Sequence, residues 1–284
     1  MSAQSIYKST AGEKAVMALY DSMLASWPIS CETINIPTRY GNTFVIASGD
    51  KSASPLILLH GAGTNSLTWS GDVVEYSRHY RTYVVDLLGE AGKSAAVRMD
   101  WNSPAYAEWL EDVLDALKIE KATLIGFSQG GWTALKFAVY KPERVENLVL
   151  LSPGGITPDR LSFVIKAIPL SMLGQWGIKR INRLLLAGQT VPNEVEEALI
   201  LIMTHFNARV ERLPIFTDLE LQRLTMPVLL LMGGQDALRD GEKISSRLIE
   251  HIPHLASVVV PGSGHALLNT TGQIIPFLTK ETVP

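Results

Sequence analysis

The feature that most constrains the fold is a rhythm: short apolar runs alternate with helical patterns over most of the 284 residues. Such alternation marks a largely parallel sheet with helices on its faces, because each parallel connection must cross back over the sheet. Residues 43–47, 55–59, 82–86, 122–127, 145–151, 227–232 and 257–260 read as strands. Several are near-continuous Leu, Ile and Val, as strands buried on both faces must be. Between them Ala107, Leu110, Leu114 and Leu117 recur at three- and four-residue steps, the stripe of a helix packed on the sheet. Residues 130–140 and 241–251 follow the same pattern, and 12–27 reads as an amphipathic helix of unassigned role.

The rhythm breaks from 156 to 225. There "LSFVIKAIPLSMLGQWGIKRINRLLLAG" and "NEVEEALILIMTHFNARVERL" are helical in pattern with no strand between them, and the strands resume at Pro227. The expected organisation is a sheet core of residues 1–155 and 226–284 carrying a helical cap, 156–225. The cap's apolar excess predicts helices packed on one another and on the core, part of them forming a pocket wall. A net charge of −3 offers no basic patch for nucleic acid or an anionic membrane, and no apolar run is long enough to span a bilayer. A single cysteine, Cys31, excludes an intrachain disulfide framework and a thiolate metal site. The opening "MSAQSIYKST" lacks the basic and apolar regions of a secretory signal, so a cytoplasmic setting is expected.

Gly92-Lys93-Ser94 resembles the end of a phosphate-binding loop, but the glycine required five positions earlier is Leu87. No helix start follows directly to receive an anion. A nucleotide site is therefore not expected. "TLIGFSQGGWTALKFA" places Ser128 between a buried strand and a helix, with Gly126 and Gly130 two residues to either side. A serine on so tight a turn crowds its neighbours, and only small residues let the chains pass. The same geometry sets its side chain at a helix N-terminus, where N–H groups and the helix dipole favour developing negative charge.

A serine hydroxyl is a poor nucleophile until a base takes its proton, so a histidine and an orienting carboxylate are needed. His265, in "VVVPGSGHALL" just past a strand, is the best candidate base, whereas His79, His205, His251 and His254 fall in helices or connections. Asp236, in the Gly-Gly turn of "PVLLLMGGQDAL", is the candidate acid, with Asp240 as fallback. No histidine and carboxylate cluster has metal-ligand spacing, and no Gly-x-Gly-x-x-Gly follows a strand, so neither metal nor cofactor is expected.

The chain order Ser, Asp, His, each after a strand, resembles the α/β-hydrolase superfamily from about Ile34 to Phe277. The resemblance implies a mostly parallel eight-stranded sheet flanked by helices, with a helical cap insertion. "LILLHGAG" is similar to the family's His-Gly loop, which implies that Ala62 and Gln129 supply oxyanion N–H donors and that His60 is structural. "VVDLLGEAGKS" resembles its Asp-x-x-Gly-x-Gly-x-Ser loop through Asp86, Gly89, Gly92 and Ser94, with one extra residue between the glycines. "KPERVENLVLLSP" is similar to the segment after the nucleophile helix in capped members.

The implied chemistry is acyl transfer to water, with Ser128 as nucleophile and His265 as general base. A serine at the elbow argues against relatives that use an aspartate there. Leu, Ile, Met and Phe in the cap favour a small substrate with an apolar acyl or alcohol group, making a carboxylesterase the first choice. A C–C bond hydrolase is the alternative: Arg180, Arg183, Arg209 and Arg212 lie in or beside the cap, but Ala266 follows His265 where many such enzymes carry an aromatic residue. A sensor or interaction protein that keeps the fold without turnover is a reading from a different class. The sequence leaves the oligomeric state open.

Overall fold

A computed structural model describes residues 5–279. Eight strands form one sheet: β1 (Cys31–Thr38), β2 (Gly41–Ser48), β3 (Pro55–Leu59), β4 (Arg81–Val85), β5 (Ala122–Phe127), β6 (Val145–Leu151), β7 (Val228–Gly233) and β8 (Leu255–Val260). Their order is β1-β2-β4-β3-β5-β6-β7-β8. The β1–β2 and β2–β4 pairs are antiparallel, and β4 through β8 run parallel. The expected mostly parallel eight-stranded sheet with flanking helices is thus present. Of the strands, only β1 lacked an apolar run: in this edge strand Ile34 and Ile36 alternate with polar residues.

The helices are α1 (Thr10–Ala25), α2 (Val73–Tyr76), α3 (Ala105–Ala116), α4 (Gln129–Tyr140), α5 (Leu161–Ser171), α6 (Gly174–Leu185), α7 (Asn193–His205), α8 (Asp218–Leu221), α9 (Gly241–His251) and α10 (Thr271–Thr279). On one face of the sheet Ile57, Leu59, Leu124, Leu148 and Leu230 pack against Leu110, Leu114, Leu135 and Phe137 of α3 and α4. On the other, Leu56, Leu58, Ile125, Val149 and Leu229 form a core with Tyr20, Tyr76 and Ile274. Alternate residues of one strand therefore serve two cores, which is why β3 and β5 must be apolar throughout. Among the described residues no helix is long and apolar enough to cross a membrane.

Between β6 and β7 the chain leaves the sheet and forms α5 to α8. Two features differ from the sequence reading. The stretch after His205 is not helical: Phe206 pairs with Tyr7 in a β-bridge, and Asn207 N–H donates to Ile6 C=O at 2.8 Å. These contacts with the N-terminal segment override a helical pattern that had no tertiary information behind it. In addition, α5 buries none of its residues; Leu161, Ile165 and Ile168 are 61–66% exposed, and Met172 just after it is 82% exposed. By contrast α6 buries Ile178 and Ile181, and α7 buries Ala198, Ile200 and Ile202.

The N-terminal helix acquires a role. The Tyr20 hydroxyl of α1 donates to Asp86 Oδ2 at 2.9 Å, and Lys93 pairs with Asp21. At its other end Gly12 lies so close to His205 that a Cβ there would stand 2.7 Å from the imidazole. Helix α1 therefore clasps the sheet to α7.

Candidate active site

Three loops at the C-terminal ends of β5, β7 and β8 converge, as ligand sites in open α/β sheets do. Ser128 links β5 to α4 with φ +53° and ψ −108°, a conformation rare for any residue with a side chain. The flanking glycines make it possible: a Cβ on Gly126 would lie 2.3 Å from Gly130 C=O, and one on Gly130 would lie 2.2 Å from Leu59 C=O. Ser128 N–H is held by Leu151 C=O at 2.9 Å, and its own C=O accepts from Trp132 and Gly154 N–H.

His265 Nε2 stands 3.0 Å from Ser128 Oγ, and His265 Nδ1 stands 2.9 Å from Asp236 Oδ2. The other oxygen, Asp236 Oδ1, accepts from the N–H groups of Leu238 and Arg239 at 2.8 and 2.9 Å. An ionised carboxylate only accepts, so Nδ1 carries the proton and Nε2 is left to accept from the serine. Burial pushes the Asp236 pKa up, but the hydrogen bond and charge of His265 and the two backbone donors outweigh it and hold the group below the usual range. Burial pushes the His265 pKa below its ordinary value, against the pull of Asp236, so the imidazole is neutral and basic at neutral pH. A serine, imidazole and carboxylate so linked can move the serine proton onto nitrogen as oxygen attacks a carbonyl.

The structure thus brings Ser128, His265 and Asp236 together. Asp240 lies apart, capping α9 through Lys243 N–H and facing Arg160. Gln129 begins α4 immediately after Ser128. The loop carrying Ala62 runs against Ser128: a Cβ on Gly61 would lie 3.6 Å from Ser128 Cβ. Among the described residues neither Ala62 N–H nor Gln129 N–H donates to a protein group. His60 is fully buried; its Nδ1 faces Gly61 C=O at 2.8 Å and its Nε2 accepts from Leu87 N–H at 2.9 Å, tying the loops after β3 and β4 together.

The Gly-Lys-Ser triplet serves this same framework. Asp86 accepts from Ser66 N–H, Lys93 N–H and Tyr20, while Ser94 Oγ donates to Asp86 C=O at 2.7 Å. Gly92 faces the Asp86 carboxylate so closely that a Cβ would stand 2.4 Å from it. Within this loop lies a residue that sequence reasoning passed over. Glu90, 3% exposed, accepts from Gly63 N–H at 2.7 Å and from the Gln129 side chain at 3.0 Å. Burial pushes its pKa up to about 7. The one sequence signal for it was the extra residue between Gly89 and Gly92.

The sequence model of the Alpha/beta hydrolase family matches residues 56–273. The chain belongs to the α/β-hydrolase family. This α/β hydrolase is 34% identical over 257 residues to the uncharacterized carboxylesterase nap of Bacillus subtilis (strain 168), covering 87% of this chain and 85% of that one. It is 31% identical over 260 residues to carboxylesterase YbfK of the same strain, covering 87% and 86%. Among solved structures it superposes on carboxylesterase CesB (YbfK) of Bacillus subtilis with a TM-score of 0.86 at 29% identity, over 95% of this chain and 99% of that one. The naproxen esterase (carboxylesterase NP) of Bacillus subtilis gives 0.85 at 30% identity, over 95% and 99%.

Proposed function

We propose that the protein is a carboxylesterase acting on small esters with an apolar acyl or alcohol group, and that residues 156–225 form its cap. The observation that carries this is the unbroken hydrogen-bond chain from Ser128 Oγ through His265 to Asp236. In this mechanism neutral His265 takes the Ser128 proton as Oγ attacks the ester carbonyl. The Ala62 and Gln129 N–H groups stabilise the oxyanion, and His265 then protonates the leaving alcohol. Water repeats the cycle on the acyl-enzyme, restoring Ser128. The similarity to carboxylesterases along nearly the whole chain supports an ester as the substrate.

The cap reaches the reaction centre at two points. Leu185 C=O accepts from Ala266 N–H at 3.1 Å beside the general base, and Leu213 Cδ1 stands against Gly154, whose N–H donates to Ser128 C=O. Phe127 packs on the His265 ring with centroids 5.3 Å apart. These apolar neighbours support an apolar acyl or alcohol group. Arg180 and Arg183 line a cavity of about 540 Å³ that borders the Asp236 loop at Gln235 and Ala237, the one feature that favours a C–C bond hydrolase. Arg209 is not available for such a role, since it is bound to Met99 C=O and Tyr106.

The test is kcat/KM for p-nitrophenyl esters of increasing acyl length, with Ser128→Ala alongside. The expected result is a profile peaking at short or medium chains and a loss of roughly 10⁶-fold in kcat in the variant. More than a few per cent residual activity in Ser128→Ala refutes the assignment. Absence of ester turnover with cleavage of a vinylogous diketone establishes the C–C alternative.

A further inference from the structure

We infer that Glu90 is the positioning residue of the oxyanion loop, its carboxyl group joining the two segments that carry the Ala62 and Gln129 N–H groups, and that the reaction runs with this carboxyl neutral. The inference rests on the esterase reading, in which Ser128 is the nucleophile and those two groups receive the oxyanion. Glu90 touches neither Ser128 nor the place where substrate reacts; it acts through its neighbours.

The geometry is specific. Glu90 Oε2 accepts from the N–H of Gly63, the residue after Ala62, and Oε1 accepts from the side chain of Gln129 itself. Gly63 stands at φ +64° with no atom within 4 Å of where its Cβ would be, so nothing packs against that side of the loop. The Glu90 contact is the hydrogen bond that fixes Gly63 itself, while Thr64, Asn65 and Ser66 anchor the residues that follow. Glu90 is fixed in turn: its C=O accepts from Gly92 N–H at 2.9 Å, and Ala91 C=O accepts from Asn65 Nδ2 at 2.9 Å. A buried carboxyl bonded on both oxygens to two different loops is a costly arrangement, which a fold without use for it would replace with apolar packing.

Charge decides which form works. Beside a developing oxyanion an ionised Glu90 is repulsive, and the low dielectric of a buried site enlarges that repulsion. The neutral acid keeps the Gly63 contact and exchanges the direction of the Gln129 one. Its carbonyl oxygen continues to accept from Gly63 N–H, while its O–H donates to the Gln129 amide oxygen once that amide turns over. The groups bearing on Glu90 are Arg98 from its own connection, Arg209 from the segment after α7, Tyr106 from α3 and Tyr7 from the N-terminal segment. The two guanidinium groups favour the carboxylate, burial favours the acid, and the balance falls at about 7.

The experiment is the pH dependence of kcat/KM for p-nitrophenyl butyrate from about pH 5 to about pH 9. Wild type, Glu90→Gln and Glu90→Ala are compared after subtracting the rate of Ser128→Ala, and fluorophosphonate labelling of Ser128 is followed over the same range. Wild type is expected to lose about tenfold on the alkaline side, with an apparent pKa near 7. Glu90→Gln, which cannot ionise, keeps the acid limb and loses the alkaline one. Glu90→Ala, with the Gly63 and Gln129 contacts removed, loses about tenfold or more in kcat at every pH while KM stays within about twofold. A wild-type profile flat through alkaline pH, or an alkaline limb that survives in Glu90→Gln, overturns the inference. Failure of Ser128 to label at any pH refutes the esterase reading instead, whereas labelling without an alkaline limb refutes only the role of Glu90.

Discussion

Ser128 sits in backbone strain that costs on the order of 1–3 kcal/mol, and the surrounding contacts hold it there. Its two glycines are therefore not exchangeable. A methyl group on Gly130 would meet Leu59 C=O at 2.2 Å and His60 C=O at 2.5 Å, both backbone atoms of the strand end that leads into the Ala62 loop. Gly130→Ala is expected to lose about 3 kcal/mol or more, read by urea denaturation, together with Ser128 labelling. In the proposed mechanism the lowered pKa of His265 sets the acid limit of activity. Protonated imidazole cannot take the serine proton, so kcat/KM is expected to fall only once the pH drops below the ordinary histidine value of 6.5. An acid limb above that value would contradict the burial of this ring. Asp236→Asn is expected to cost about 10⁴ in kcat, because the amide misdirects the imidazole tautomer. Asp240→Asn, which retains a helix cap, is expected to stay within about twofold.

The helices between β6 and β7 look alike in sequence and differ in the structure. Helix α7 buries Ile202 against Val16 and Phe206, so Ile202→Ala is expected to cost about 2–4 kcal/mol. Ile165 of α5 is 62% exposed, and Ile165→Ser is expected to change stability by less than about 0.5 kcal/mol. Equal destabilisation by the two substitutions would mean that α5 packs in solution as tightly as α7. Apolar content alone could not separate these cases, because periodicity reports a stripe and not what lies opposite it. Helix α1 shows the converse. Its pattern was legible, but its use was not, since Tyr20 meets Asp86 across 66 positions of sequence. Tyr20→Phe removes a hydrogen bond to a fully buried carboxylate and is expected to cost about 1.5–3 kcal/mol by chemical denaturation.

Across the whole molecule, Arg209 joins the end of the insertion to the sheet's flanking layer. Its guanidinium lies 3.9 Å from the centre of the Trp101 ring and donates to Met99 C=O and Tyr106. Arg209→Lys keeps the charge but loses the planar stack and one of the donors, so a loss of about 1–2 kcal/mol is expected on thermal unfolding. The sequence by itself determined the parallel sheet, the interruption between β6 and β7 and the serine turn, because each rests on a local requirement. Strands buried on both faces must be apolar throughout, and a strand-to-helix turn this tight admits only glycine at its flanks. The edge strand β1 escaped notice because its apolar residues Ile34 and Ile36 alternate with polar ones and form no run. The tertiary structure sets Asp236, the candidate acid of the sequence, against His265 and leaves Asp240, four residues on, capping a helix. It alone set Glu90 between two loops, drew α1 across to Asp86 and left α5 uncovered. Each of these depends on what the fold brings from elsewhere in the chain, and a local pattern carries no record of its distant neighbours.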